Sequence, residues 1–132
     1  MFLLIGADDN KLESSVAKRF GHAGYYLMYN TETNSFETYE NIDVDHNHQS
    51  IREFLDKGVE AFIVGNVGPH AFGIINTPKS KVYLARKMSV KEAVEKFLKD
   101  KLKRLDEPTV NKSIGHVHGA TTKNIENIGE NE

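Results

Sequence analysis

Three short runs of uninterrupted apolar residues constrain this chain more than any other feature: Phe2-Leu3-Leu4-Ile5, Ala61-Phe62-Ile63-Val64 and Val82-Tyr83-Leu84-Ala85. Each is flanked by glycine or charge. Such runs are short for helices and lack the alternation of a half-exposed strand, so they fit strands buried on both faces of a sheet. Two further segments, Tyr25-Tyr26-Leu27-Met28-Tyr29 and Phe36-Glu37-Thr38-Tyr39, are aromatic and β-prone, and the polar stretch 30–34 between them reads as a hairpin turn.

Helix signals lie between these runs. Ser50-Ile51-Arg52-Glu53 matches a capping box, with Ile51, Phe54 and Leu55 on one face and Gly58 placed to end the helix. Ser89-Val90-Lys91-Glu92 is a second capping box, followed by a stripe of Val90, Ala93, Val94, Phe97, Leu98 and Leu102. Pro69 suits a first helical turn that stops before Pro78, and a short helix is expected over 15–20, ended by Gly21. Strand–helix alternation in the second half requires parallel strands with crossovers. The expectation is an α/β fold: strands at 2–6, 25–30, 36–40, 61–65 and 82–85 in one mixed five-stranded sheet flanked by helices, forming a domain over 1–105. Beyond Pro108 the chain has no aromatic residue and few apolar ones, so 106–132 reads as a flexible polar tail.

Composition narrows the chemistry. With 132 residues the chain suits one domain, and with no cysteine it has no disulfide, thiolate nucleophile or cysteine-ligated metal. Lys plus Arg number 17 against 19 Asp plus Glu, which disfavours a general nucleic-acid partner. The first apolar run stops at Gly6 with Asp8 and Asp9 behind it, so neither a secretory leader nor a membrane span is expected, and a cytoplasmic location is.

Five groups of residues can carry chemistry. His46-Asn47-His48, with Asp43 and Asp45 before it, places two imidazoles on one side of an extended segment, where they can share a metal; a polar loop leading into a helix is the plainer account. Gly65-Asn66-Val67-Gly68-Pro69-His70 follows a buried strand and opens a helix, a place where ligands sit in parallel sheets. Gly115-His116-Val117-His118-Gly119 repeats the His-x-His spacing in the tail, where metal binding would be weak. Asp8-Asp9 can hold Mg²⁺ for phosphoryl transfer, although the next buried strand ends in Gly65-Asn66 and not in an acid. His22, after the helix-ending Gly21, either neutralises a helix terminus or faces the strand-end cleft with Asp9.

Taken in order, Ala7-Asp8-Asp9, Arg19-Phe20-Gly21-His22-Ala23, the segment with His46 and His48, Gly65-Asn66-Val67-Gly68-Pro69, Lys81-Val82-Tyr83 and the helix from Ser89 resemble the dinitrogenase iron–molybdenum cofactor biosynthesis family. The resemblance runs from Phe2 to about Leu102. It implies a ribonuclease-H-like three-layer fold without nuclease activity, and a role in binding or carrying metal–sulfur clusters on the way to nitrogenase. Carried over, it puts an iron–molybdenum-cofactor-like cluster or precursor in a cleft lined by Asp9, His22, Gly65, Asn66, Gly68 and His70. His46, His48 and His70 would be metal ligands. The expected protein is thus a small non-enzymatic carrier that exchanges its cluster with donor or acceptor proteins. The competing expectations are a metal-dependent phosphoryl-transfer enzyme using Asp8 and Asp9, and an interaction domain with no ligand.

Overall fold

A computed structural model of the chain describes residues 1–42 and 49–110. Its strands are β1 (Phe2–Ala7), β2 (Tyr25–Asn30), β3 (Ser35–Glu40), β4 (Val59–Val64), β5 (Lys81–Leu84) and β6 (Lys103–Leu105). Its helices are α1 (Gln49–Asp56), α2 (Pro69–Ile75) and α3 (Val90–Leu98). One sheet takes the order β3-β2-β1-β4-β5-β6. β1, β4 and β5 run parallel, and β2, β3 and β6 each pair antiparallel to a neighbour.

The three apolar runs are the central strands, and side chains alternate between two cores. Leu4, Tyr26, Met28, Phe62, Val64 and Val82 face α1 and α2; Leu3, Ile5, Leu27, Ala61 and Ile63 face α3. Both faces are therefore covered, which is why no polar residue interrupts the three apolar runs. The aromatic hairpin residues are core: Tyr26 packs against Phe20 and Phe54 with centroids 5.2 and 5.9 Å away, and its hydroxyl donates to the Phe20 carbonyl at 2.8 Å.

The sheet has six strands, where the apolar pattern predicts five. The sixth, Lys103-Arg104-Leu105, buries only Leu105 and covers the free edge of β5, so no apolar run announces it. The expected stripe on α3 also ends early. Asp100 takes a left-handed φ of 58°, Leu98 is exposed, and Leu102 packs on the core from outside the helix. No helix forms over 15–20. Ser15 and Val16 bridge to Ser89 and Ala7, and a 3₁₀ turn follows at Phe20–His22. Ser50 is not a cap, because α1 already includes Gln49 and the Ser50 hydroxyl is buried without a partner among the described residues. The other two signals hold: the Ser89 hydroxyl accepts from the Glu92 N–H at 3.1 Å, and Pro69 occupies the first turn of α2.

Candidate functional site at the carboxyl ends of the central strands

Register fixes which loops meet. Ile5 lies opposite Ile63 and Val64 opposite Leu84, so β1, β4 and β5 end on the same edge. Ala7 pairs with Tyr25 and Tyr25 with Glu40, which brings the start of β2 and the end of β3 to that edge too. Helix α1 feeds β4 through Lys57 and Gly58 at the opposite edge, so its first turn points back to the carboxyl edge. The chain therefore leaves the described residues at Ile42, close to this edge, and returns towards it at α1. His46 and His48, with Asp43 and Asp45, lie outside the described residues, as do His116 and His118.

The remaining predicted site residues all sit on this edge. Asp8 and Asp9 follow β1 and are exposed. The Asp8 N–H donates to the Ser15 carbonyl at 3.0 Å, and the Asp9 carboxylate accepts from the Asn10 N–H at 2.7 Å. Asp9 is thus partly engaged in its own turn. His22 is exposed in the 3₁₀ turn, and Asn41 braces that turn by donating to the Ala23 carbonyl at 2.8 Å. His70 is exposed in the first turn of α2, behind Gly68. Among the described residues no three His, Asp or Glu side chains are grouped to hold a metal ion. The third acid that a two-aspartate nuclease site needs is therefore not supplied by the described residues.

The Gly65-Asn66 turn is the best-built part of the edge. A Cβ on Gly65 would lie 2.3 Å from the Ala17 carbonyl oxygen, so glycine here admits the 17–18 backbone against the end of β4. Asn66 is 7% exposed. Its amide donates to the Lys18 carbonyl at 3.2 Å, and its own carbonyl accepts from the Phe20 N–H at 2.8 Å. The Arg86 guanidinium reaches from the end of β5 and donates to Asn66 Oδ1 at 2.7 Å and to the Gly65 carbonyl at 3.2 Å. Val67 is tied to Thr109 by bonds in both directions, and Val110 is buried, so the chain stays on the domain two residues past Pro108. Arg86 carries no motif and was not a sequence candidate; only the β4–β5 register sets it beside Asn66.

A second concavity of about 420 Å³ lies at the opposite edge, lined by Leu55, Gly58, Val59, Glu60, Thr77, Lys79 and Ser80. Its hydroxyls are already used: Ser80 Oγ donates to the Ile75 carbonyl at 2.6 Å and lies 2.8 Å from Thr77 Oγ1. No described helix is long and apolar enough to cross a membrane.

Comparisons with known proteins agree with the fold. The apo orange protein from Desulfovibrio gigas superposes with a TM-score of 0.73 at 22% identity, covering 81% of this chain and 94% of that one. A Thermotoga protein provisionally named as NifB gives 0.66 at 29% identity, covering 78% and 91%. A Methanocaldococcus jannaschii protein provisionally named a dinitrogenase gives 0.65 at 20% identity, covering 82% and 97%. No curated protein matches the sequence. The family model for dinitrogenase iron–molybdenum cofactor proteins matches residues 1–100, and the chain belongs to that family.

Proposed function

We propose that this protein is a small carrier or assembly protein that holds a metal–sulfur cluster of iron–molybdenum type at the carboxyl edge of its sheet, with no catalysis of its own. The observation that supports it is the convergence of Asp9, His22, Asn41 and the Gly65–His70 turn on one strand-end edge, beside the point where the chain enters the segment bearing His46 and His48. Family membership supports the cargo. A cluster that brings its own sulfide ligands needs from its carrier imidazole, N–H donors and positive charge rather than thiolate, which suits a chain without cysteine. In this reading His46, His48 and His70 contact the metals, and Asp9, His22, Gly65, Asn66 and Gly68 line the cleft. Donor and acceptor proteins of the cytoplasm are its partners, and the likeness to ribonuclease-H-like folds is one of architecture alone.

The test is protein purified anaerobically from its native host, assayed for iron, molybdenum and acid-labile sulfide. Stoichiometric metal with sulfide is expected, reduced in a His46→Ala/His48→Ala/His70→Ala variant. Metal-free protein that also takes up no cluster when apo chain is incubated with iron, molybdate and sulfide would overturn the proposal. Mg²⁺-dependent cleavage of nucleic acid, abolished by Asp9→Asn, would replace it with the phosphoryl-transfer reading.

A further inference from the structure

We infer that Arg86 is the anion-recognising residue of this edge, held in place by Asn66, and that the edge therefore selects metal–sulfide species of net negative charge over bare metal cations. The inference rests on the carrier reading and adds the residue that reads the cargo's charge.

Three observations carry it. First, Arg86 is exposed yet anchored. Its Nε–H is shared between the Gly65 carbonyl and Asn66 Oδ1, each at 3.2 Å, and one Nη2–H goes to Asn66 Oδ1 at 2.7 Å. A guanidinium has five N–H groups, so the remaining three are available to a ligand. Among the described residues Arg86 makes no ion pair. A cation that is fixed but not neutralised is what anion recognition requires, because the ordering cost of a long side chain has already been met.

Second, its anchor is built for the task. Asn66 is nearly buried and divides its amide: the N–H₂ group holds the Lys18 carbonyl at 3.2 Å, and the oxygen holds Arg86. A carboxylate there would neutralise Arg86, whereas the neutral amide positions it and leaves its charge intact. Third, the chain around Arg86 is held. Lys87, the next residue, adopts a left-handed φ of 59°, and the Met88 carbonyl accepts from the Val16 N–H at 2.9 Å. Ala85 donates to the Val64 carbonyl at 2.7 Å, so Arg86 is fixed between the ends of β4 and β5. Lys87 adds a second exposed cation beside it. The edge that holds the cargo residues thus presents positive charge at its best-ordered point.

The probe is tetrathiomolybdate, a mononuclear molybdenum–sulfide dianion, titrated anaerobically into wild type, Arg86→Gln and Arg86→Lys, with Co²⁺ as the cationic comparison. Wild type should bind tetrathiomolybdate with an affinity that falls as salt is raised. Arg86→Gln should bind it at least tenfold more weakly with a flatter salt dependence, Arg86→Lys should fall between, and Co²⁺ binding should be unchanged in both. In ¹⁵N-labelled wild type the Arg86 Nε–H resonance should shift on titration, which keeps the test valid if a variant fails to fold. Undiminished tetrathiomolybdate binding by Arg86→Gln, or an unmoved Arg86 resonance in a chain that binds, overturns this inference and leaves the carrier reading standing. No binding of tetrathiomolybdate or of any metal–sulfur cluster by wild type overturns both.

Discussion

The two ends of the sheet are closed in opposite ways. At the amino ends of β4 and β5, turns are local: Gly58 at φ 91° leads into β4, and Thr77 and Ser80 bond to each other by backbone and side chain before β5. The Thr77 and Ser80 hydroxyls are satisfied within a few residues of the chain. At the carboxyl end, closure is long-range. Residues 15–20, 65–67, 85–88 and 109–110 hold each other by hydrogen bonds across the sequence, while Asp9, His22, His70 and Arg86 stay exposed. The hollow at the amino edge is thus the weaker candidate site, because a site is made by oriented functional groups and not by volume.

The sharpest way to break this contrast is to put a methyl group on one glycine at each end. Gly65→Ala forces a Cβ to within 2.3 Å of the Ala17 carbonyl oxygen, a backbone atom. It should cost about 3 kcal/mol in urea unfolding. Gly58→Ala meets nothing within 4 Å and pays only for its positive φ, about 1 kcal/mol. Equal losses would show that the carboxyl end is no more tightly interlocked than the other.

Next in size is truncation. Stopping the chain after Glu107 removes the Thr109–Val67 bonds and buried Val110, and should cost about 2 kcal/mol. Stopping it after Val110 removes only the polar 111–132 and should change stability by less than about 0.5 kcal/mol, because that composition offers little apolar surface to offset ordering. The pair of truncations tests where the domain ends. Asn66→Ala removes the brace shared by Lys18 and Arg86 and should cost about 1.5 kcal/mol.

A small effect is expected on β3, an outermost strand of the sheet. The Tyr39 hydroxyl donates to Glu37 at 2.6 Å, and that bond, then burial and the Glu37 charge, push its pKa from the ordinary 10.0 up to about 12. The fold favours the protonated phenol, so this contribution is complete below pH 10 and is lost as pH rises to about 12. Tyr39→Phe should cost about 0.5 kcal/mol at neutral pH and abolish that alkaline loss. An unchanged alkaline limb would assign it to another group.

Much of this was legible in the sequence for a plain reason. Phe62, Ile63 and Val64 are buried by helices on both faces, and uninterrupted apolarity is the direct trace of that burial. Ser89 and Pro69 act locally, so their signals survive folding. What was hidden depends on partners distant in sequence. β6 exists because β5 has a free edge. Ser15 and Val16 are extended because Ser89 and Ala7 are across from them. Ser50 has the right spacing for a cap but lies inside α1. The candidate site was half visible: Gly65 and Asn66 stand out as a turn, yet the close approach that Gly65 permits is that of Ala17, and Arg86 has no spacing that links it to Asn66.

The central claim is that the cargo sits on the carboxyl edge. The most direct measurement is the ¹H–¹⁵N spectrum of wild type titrated anaerobically with an iron–molybdenum–sulfur cluster. The account predicts that resonances of Asp8, Asp9, His22, Gly65, Asn66, His70 and Arg86 shift or broaden, while those of Gly58, Thr77, Lys79 and Ser80 stay in place. Perturbation confined to Gly58 and the Thr77–Ser80 turn, or a spectrum that does not change at saturating cluster, would contradict it.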